Sequence, residues 1–310
     1  MDIHEKWTAQ LKYNISGAAD VMRPTIDPID RSAFYVSDGW QTPYAATRFR
    51  KLSLETGEEL ANILTRATTR CIYVDGESIF AVMAKKILQL DRNTLQLKCA
   101  YKQNIPSNMD SISSDDAGNL LLLHHYNGAF YKFHLSTAKS TRKKVGNGDD
   151  CDGIEKIDAD SFLLFTSDGF LQYSSKANAL RKLADTEHYT QYALGNSGKI
   201  YILCQEPEEA TDAEGKVAPC SSRILAYSSV VDNRFEEIVP GVIFHYFRLS
   251  EDENLLYLFR NNTLWIYSLL ESQIVFHHEF QDSVIMNVFA EDSIVITYKM
   301  SCYQLTCWQI

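Results

Sequence analysis

Short β-favouring runs recur along the whole chain, and they come in pairs. The first member is a block of apolar residues: Ala33-Phe34-Tyr35-Val36, Ile79-Phe80-Ala81-Val82, Leu120-Leu121-Leu122-Leu123 and Phe162-Leu163-Leu164-Phe165, then Ile200-Tyr201-Ile202-Leu203, Leu255-Leu256-Tyr257-Leu258 and Ile294-Val295-Ile296-Thr297. The second member tends to alternate large apolar with polar residues, as in Phe49-Arg50-Lys51-Leu52-Ser53-Leu54, Ile87-Leu88-Gln89-Leu90-Asp91 and Phe130-Tyr131-Lys132-Phe133-His134-Leu135. It returns around Phe170-Tyr173, Ile224-Tyr227, Leu264-Tyr267 and Tyr303-Cys307. Period-two alternation is the mark of a strand that buries one face, and the Asp, Asn and Gly clusters between runs mark turns.

The spacing decides how these strands assemble. The first members start 46, 41, 42, 38, 55 and 39 residues apart. A period of about 40–50 residues holding about four short strands is the signature of a β-propeller blade. Seven copies predict an all-β, seven-bladed β-propeller of four-stranded antiparallel blades. Six or eight blades, or two unrelated sandwiches, are the rivals, and the sandwiches leave the regular spacing unexplained. The last copy has only three strands before the chain stops, so residues 5–12 at the other terminus are expected to supply its outer strand and remove a free edge. The chain then reads as a single domain, 1–310, with blades at about 22–64, 69–103, 109–146, 152–185, 189–240, 244–280 and 283–310 plus 5–12.

Two of the repeat ends carry a further mark. Leu52-Ser53-Leu54-Glu55-Thr56-Gly57-Glu58 and Leu88-Gln89-Leu90-Asp91-Arg92-Asn93-Thr94 resemble the Leu-x-x-Asp-x-x-Thr-Gly strand ends of quinoprotein-like propeller repeats. The resemblance implies the propeller fold. It selects no activity, because that superfamily holds quinone-dependent dehydrogenases, lactonases and non-catalytic scaffolds alike. The Trp-Asp and Gly-His signatures of WD repeats are absent.

Composition narrows the partners. Apolar residues are 45% and charged residues 23% of the 310, an ordinary globular balance. Forty acidic residues against 30 basic ones give a formal charge of −10, which argues against nucleic acid or an anionic membrane surface. No run approaches the roughly 18–20 apolar residues of a membrane span. The N-terminus shows no secretory pattern, and the seven cysteines form no Cys-x-x-Cys pair. A cytoplasmic monomer with reduced thiols is expected.

Candidate chemistry gathers at one face, where innermost strands begin and second-to-third-strand loops lie. Arg23, Arg70 (or Thr69), Asp110, Asp152, Tyr189, His245 and Ser283 fall near successive inner-strand starts and predict a polar ring at the channel mouth. The longer loop Ser37–Tyr44 offers Trp40 and Tyr44 as interface anchors, since aromatics bury large area at little entropy cost. Asp149, Asp150, Tyr126 and Arg260 extend the same loop face. The acidic insertion around 205–220 accounts for the 55-residue spacing.

Metal chemistry finds little support. Asn147–Gly153 lacks the Asp-x-Asp-x-Asp-Gly register of a calcium loop. The adjacent pairs His124-His125 and His277-His278 point to opposite strand faces and cannot chelate one ion. There is no Gly-x-Ser-x-Gly elbow and no phosphate-binding glycine loop. The expectation is a non-catalytic protein-binding or scaffolding propeller without cofactor, contacting a partner through Trp40, Tyr44, Tyr126, Asp149, Asp150 and Arg260. The alternative is a channel-mouth enzyme such as a lactonase-like hydrolase acting on a small molecule. In it Arg23 or Arg70 would hold a substrate anion, and His245 with Asp110 or Asp152 would move protons.

Overall fold

The structure, a computed structural model, describes residues 2–11, 22–38, 47–65, 67–102, 105, 109–124, 128–145, 151–166, 169–186, 189–205, 221–229 and 234–310. At Asp38, Asp110, His124, Cys151, Asp152 and Ser229 the description covers the backbone alone. These residues build seven four-stranded antiparallel sheets arranged as a seven-bladed β-propeller. From the channel outward, blade 1 is Thr25–Ile26, Ala33–Asp38, Arg48–Ser53 and Glu59–Leu64, and blade 2 is Thr69–Asp75, Ser78–Met83, Lys86–Asp91 and Leu97–Tyr101. Blade 3 is Met109–Asp115, Asn119–His124, Ala129–His134 and Lys139–Lys144. Blade 4 is Cys151–Lys156, Ser161–Thr166, Gly169–Ser174 and Ala179–Asp185. Blade 5 is Gln191–Leu194, Ile200–Gln205, Ser222–Ser229 and Arg234–Ile238. Blade 6 is Tyr246–Leu249, Leu255–Arg260, Thr263–Ser268 and Gln273–Glu279. Blade 7 takes Val284–Phe289, Ile294–Lys299 and Gln304–Gln309 from the end of the chain and His4–Gln10 from its start. The apolar runs of the sequence are therefore the second strands, found within a residue of where periodicity puts them.

The second strands are apolar on both sides because each blade packs against two neighbours. Phe34 and Val36 of blade 1 enter a core with Phe289, Ile296 and Tyr298 of blade 7, while the intervening Tyr35 joins Ile79, Ala81 and Met83 of blade 2. Five further cores join blades 2 to 3, 3 to 4, 4 to 5, 5 to 6 and 6 to 7, and together they close the ring. The outer strands pack on one side only, so Gln273–Glu279 alternates exposed and half-buried residues. His277 stacks on Trp265 and His278 meets Phe280 edge-on, on opposite faces of that strand.

The clasp between the chain ends is built on one tryptophan. His4 pairs with Gln309, Trp7 with Cys307 and Gln10 with Gln304. Trp7 then reaches into blade 1, where it stacks on Phe34 at 5.9 Å and donates Nε1–H to the Leu54 carbonyl at 2.9 Å. Gly57, with φ at +72°, leaves the ring room: a Cβ there would stand 2.5 Å from Trp7 Cε3. Losing a side chain packed this way costs roughly 3–5 kcal/mol.

The repeat ends that resemble quinoprotein-like motifs are the third-to-outer-strand turns. In blade 2 the Asp91 carboxylate accepts from the Asn93 and Thr94 N–H groups, and in blade 1 the Ser53 hydroxyl accepts from Glu55 and Thr56. The fifth residue of each turn is left-handed: Gly57, Leu95, Ala138, Asn178 and Ser272 all have φ between 49° and 72°. Five blades thus share one backbone turn although only two keep its sequence mark.

This base face, formed by those turns and the first-to-second-strand turns, also carries buried ion pairs. Asp27 is fully buried. It accepts from the Ile29 and Asp30 N–H groups, from the Tyr35 hydroxyl at 2.6 Å, and faces Lys51 at 3.4 Å. Blade 3 repeats the device: Asp115 accepts from the Asn119 N–H at 2.9 Å and from Ser175 of blade 4 at 2.6 Å, and pairs with Lys132 at 2.9 Å. Burial pushes both carboxyls up, but these donors outweigh it and leave both pKa values lowered. Lys51 and Lys132 each reach on to a carbonyl of the next blade, Arg92 and Ser175. Between blades 5 and 6, Glu253 binds Ser197 and the Tyr201 hydroxyl. Between blades 1 and 7, Arg31 pairs with Asp292 at 2.5 Å.

Candidate functional site

Opposite the base lies the mouth face, and its geometry is set by a recurring irregularity. In blades 2, 3, 4 and 7 the ladder between the inner and second strands slips by one residue at the start of the inner strand. The displaced residues are Arg70, Asp110, Asp152 and Met286. Such β-bulges twist the strand and re-aim a side chain. Thr190 and His245 immediately precede the corresponding inner strands of blades 5 and 6. Their N–H groups reach the Leu203 and Phe259 carbonyls.

The next ladder position is Cys71, Ser111, Gly153, Gln191, Tyr246 and Asn287, with Arg23 at the matching place before the short strand of blade 1. Several of these side chains stitch one blade to the next. The Ser111 hydroxyl accepts from Ile154 N–H, the Gln191 amide both accepts from and donates to Phe247, and Asn287 donates to the Pro24 carbonyl. Gly153 is bare for a different reason. The Tyr192 ring occupies its side-chain space, stacked on Phe165 at 3.6 Å, and its hydroxyl lies 3.2 Å from Glu155. Burial pushes the Glu155 carboxyl up, and the Tyr192 hydrogen bond only partly offsets this.

Two cations also line this channel. Arg23 donates to the Met286 carbonyl at 2.8 Å, with its guanidinium carbon 3.6 Å from the centre of the Tyr246 ring. Arg248, two residues along the blade 6 strand, donates to the Phe247 carbonyl at 2.9 Å. Burial lowers the pKa of both, and the charge of Arg23 takes Arg248 down further, to about 10. Arg248 therefore remains protonated at neutral pH.

The candidates from sequence distribute unevenly over this frame. Arg23 lines the channel, while Arg70, Asp110 and Asp152 are bulge residues of neighbouring blades. His245 sits beside Tyr246, their rings 6.4 Å apart. Asp110 and Asp152 belong to blades 3 and 4 and His245 precedes the inner strand of blade 6, so periodicity spreads them around the ring. Tyr189 is buried in the core between blades 4 and 5 rather than in the mouth, and Ser283 precedes its strand by one residue. Arg260 ends the second strand of blade 6, opposite Thr263 across a tight turn in which Asn261 is left-handed. Trp40, Tyr44, Tyr126, Asp149 and Asp150 lie outside the described residues, as do His125 and the acidic stretch 206–220.

Sequence reasoning missed Arg248, Tyr246, Tyr192 and Glu155. Its one available signal was a charged residue set inside an otherwise apolar inner strand, as in Tyr246-Phe247-Arg248-Leu249. A separate cleft of about 610 Å³ lies between blades 4 and 5 on the base side, lined by Lys156, Ile157, Gln172, Arg181, Leu183 and Gly195. Gln172 and Ile157 stand there at the register positions that blade 3 fills with Lys132 and Asp115. Among the described residues no group of three or more His, Cys, Asp or Glu is placed to hold a metal ion, and no helix is long and apolar enough to cross a membrane.

No family model matches the chain, and no curated protein matches it in sequence. Solved structures match it in fold. The WD40 domain of Neurospora crassa Pan2 has a TM-score of 0.69 at 8% identity, covering 99% of this chain and 96% of that one. BamB from Moraxella catarrhalis has a TM-score of 0.53 at 13% identity, covering 100% and 98%. A chain of Kuenenia stuttgartiensis hydrazine synthase has a TM-score of 0.67 at 9% identity, covering 96% of each. Likeness at such identities shows the fold alone.

Proposed function

We propose that this propeller is a non-catalytic binding module that presents its mouth face to a protein partner. The observation that carries the reading is a contrast among the seven copies. Positions that pack blades together repeat in kind, whereas the bulge residues at the inner-strand starts vary: Arg70, Asp110, Asp152 and Met286 put a cation, two carboxylates and a thioether at one backbone place. A repeated frame holding side chains of mixed charge suits an asymmetric ligand larger than a single site. By their place between strands in the sequence, Trp40, Tyr44, Tyr126, Asp149, Asp150 and Arg260 are the contact residues of this proposal. The likeness in fold to a WD40 domain points the same way. The hydrolase alternative draws less support, because its proton-moving pair would have to bridge His245 on blade 6 and a carboxylate on blade 3 or 4.

The test compares the two faces. The purified chain is used to capture partners from lysate of its source cells at two salt concentrations. Mouth-face variants Trp40→Ala, Tyr44→Ala and Arg70→Glu are run beside base-face variants Glu58→Lys and Lys176→Glu. A stoichiometric partner lost by the first set and kept by the second supports the reading. A partner indifferent to the mouth variants, or lost by the base variants, contradicts it.

A further inference from the structure

The channel holds two guanidinium groups that no carboxylate of the described residues meets. Among the described residues Arg23 donates to the Met286 carbonyl and lies against Tyr246, and Arg248 donates to the Phe247 carbonyl, although a guanidinium carries five N–H donors. On the base face Lys51 and Lys132 each meet an aspartate within 3.4 Å. A half-buried charge left without a counter-charge gains little from folding, and a neutral side chain could cap one carbonyl as well. Among the described side chains, the Glu155 carboxylate of the blade 4 inner strand is engaged with the Tyr192 hydroxyl of blade 5.

The two arginines converge around one ring. The Arg23 guanidinium lies over the Tyr246 face, and Arg248 follows Tyr246 by two residues on the same strand, so both side chains leave the same side of it. Tyr246 itself is 36% exposed, so this wall of the channel is open to solvent. Planar donor forks with unused N–H groups are suited to bidentate capture of carboxylate or phosphate oxygens. From this arrangement we infer that Arg23 and Arg248 form an anion site inside the channel, with Tyr246 as its floor, that binds a small molecule bearing a phosphate or two carboxylates. The site is separate from the mouth-face docking surface and stands or falls independently of it.

Isothermal titration of the full chain at neutral pH and constant ionic strength tests this, with inorganic phosphate, pyrophosphate and succinate as probes and chloride as the reference salt. Saturable one-to-one binding of at least one probe is expected, weakened about tenfold or more, roughly 1.4 kcal/mol, by Arg23→Gln and by Arg248→Gln. The remote Arg181→Gln should leave it unchanged. Phosphate probes binding and succinate not binding would identify a phosphate-bearing ligand, and the reverse a dicarboxylate. Arg248→Lys keeps the charge but loses the fork and should bind several-fold more weakly; it carries the test should a Gln variant not fold. Absence of saturable binding up to millimolar probe, or binding indifferent to the channel variants, would overturn the inference.

Discussion

The molecule buries charge in two regions and treats it in opposite ways. On the base face Asp27 with Lys51, and Asp115 with Lys132, form compact pairs in which backbone N–H groups, hydroxyls and the neighbouring blade supply further partners. In the channel, Arg23 and Arg248 have backbone carbonyls and an aromatic face but no acid among the described residues. Paired charges that also bond the next blade hold the ring together. Unpaired ones add little to folding and leave N–H donors for a ligand. Blade 4 sharpens the point, since it puts Ile157 and Gln172 where blade 3 has Asp115 and Lys132, and the ring still closes.

The largest expected effect comes from breaking one pair. Asp115→Ala strands the Lys132 ammonium at low exposure and should cost about 3–5 kcal/mol in urea unfolding. Replacing both partners together, Asp115→Leu with Lys132→Met, should recover most of that loss, because a buried pair contributes little beyond a well-packed apolar one. A double variant as unstable as the single one would show that the pair itself, not the orphaned charge, matters.

Acid titration separates the two regions further. The Asp27 and Asp115 pKa values are lowered on folding, so their contribution is fully present above the unfolded value of about 3.9 and is lost as pH falls through the folded values. Glu155 runs the other way. Its raised pKa means the folded state holds a proton the unfolded chain has released, so stability drops as pH rises from the unfolded value to the folded one. Glu155→Gln should therefore be more stable than the parent at neutral pH, and the gap should close as pH falls below the unfolded glutamate value. A gap that widens on acidification would contradict the assignment.

The smallest effect concerns the shared turn. Ala138 takes a left-handed backbone at φ 51°, which disfavours a side chain, so Ala138→Gly should stabilise by roughly 0.5–1 kcal/mol while the corresponding Gly57→Ala destabilises.

How much of this was legible in the sequence differs between frame and site. The second strands were readable because packing against two neighbours makes them apolar on both faces, and the clasp was readable because the last blade lacked a strand. The turns at Ala138, Asn178 and Ser272 were not, since their left-handed conformation survives without glycine. The channel wall was harder still. A one-residue bulge moves Arg70, Asp110 and Asp152 off the ladder and brings Cys71, Ser111 and Gly153 into it, and no periodicity argument counts a displaced residue. Arg23 was found from sequence, but its meeting with Tyr246 passes across blade 7, and only the closed ring brings those residues together.

The most direct test of the difference between the two regions is a paired urea unfolding measurement on Asp27→Asn and Arg248→Gln. The account predicts a loss of several kcal/mol for the first, and for the second a change within about 1 kcal/mol or a gain. Comparable losses in the two variants would mean that the channel arginine belongs to the scaffold, and the contrast between paired and unpaired charge would fall.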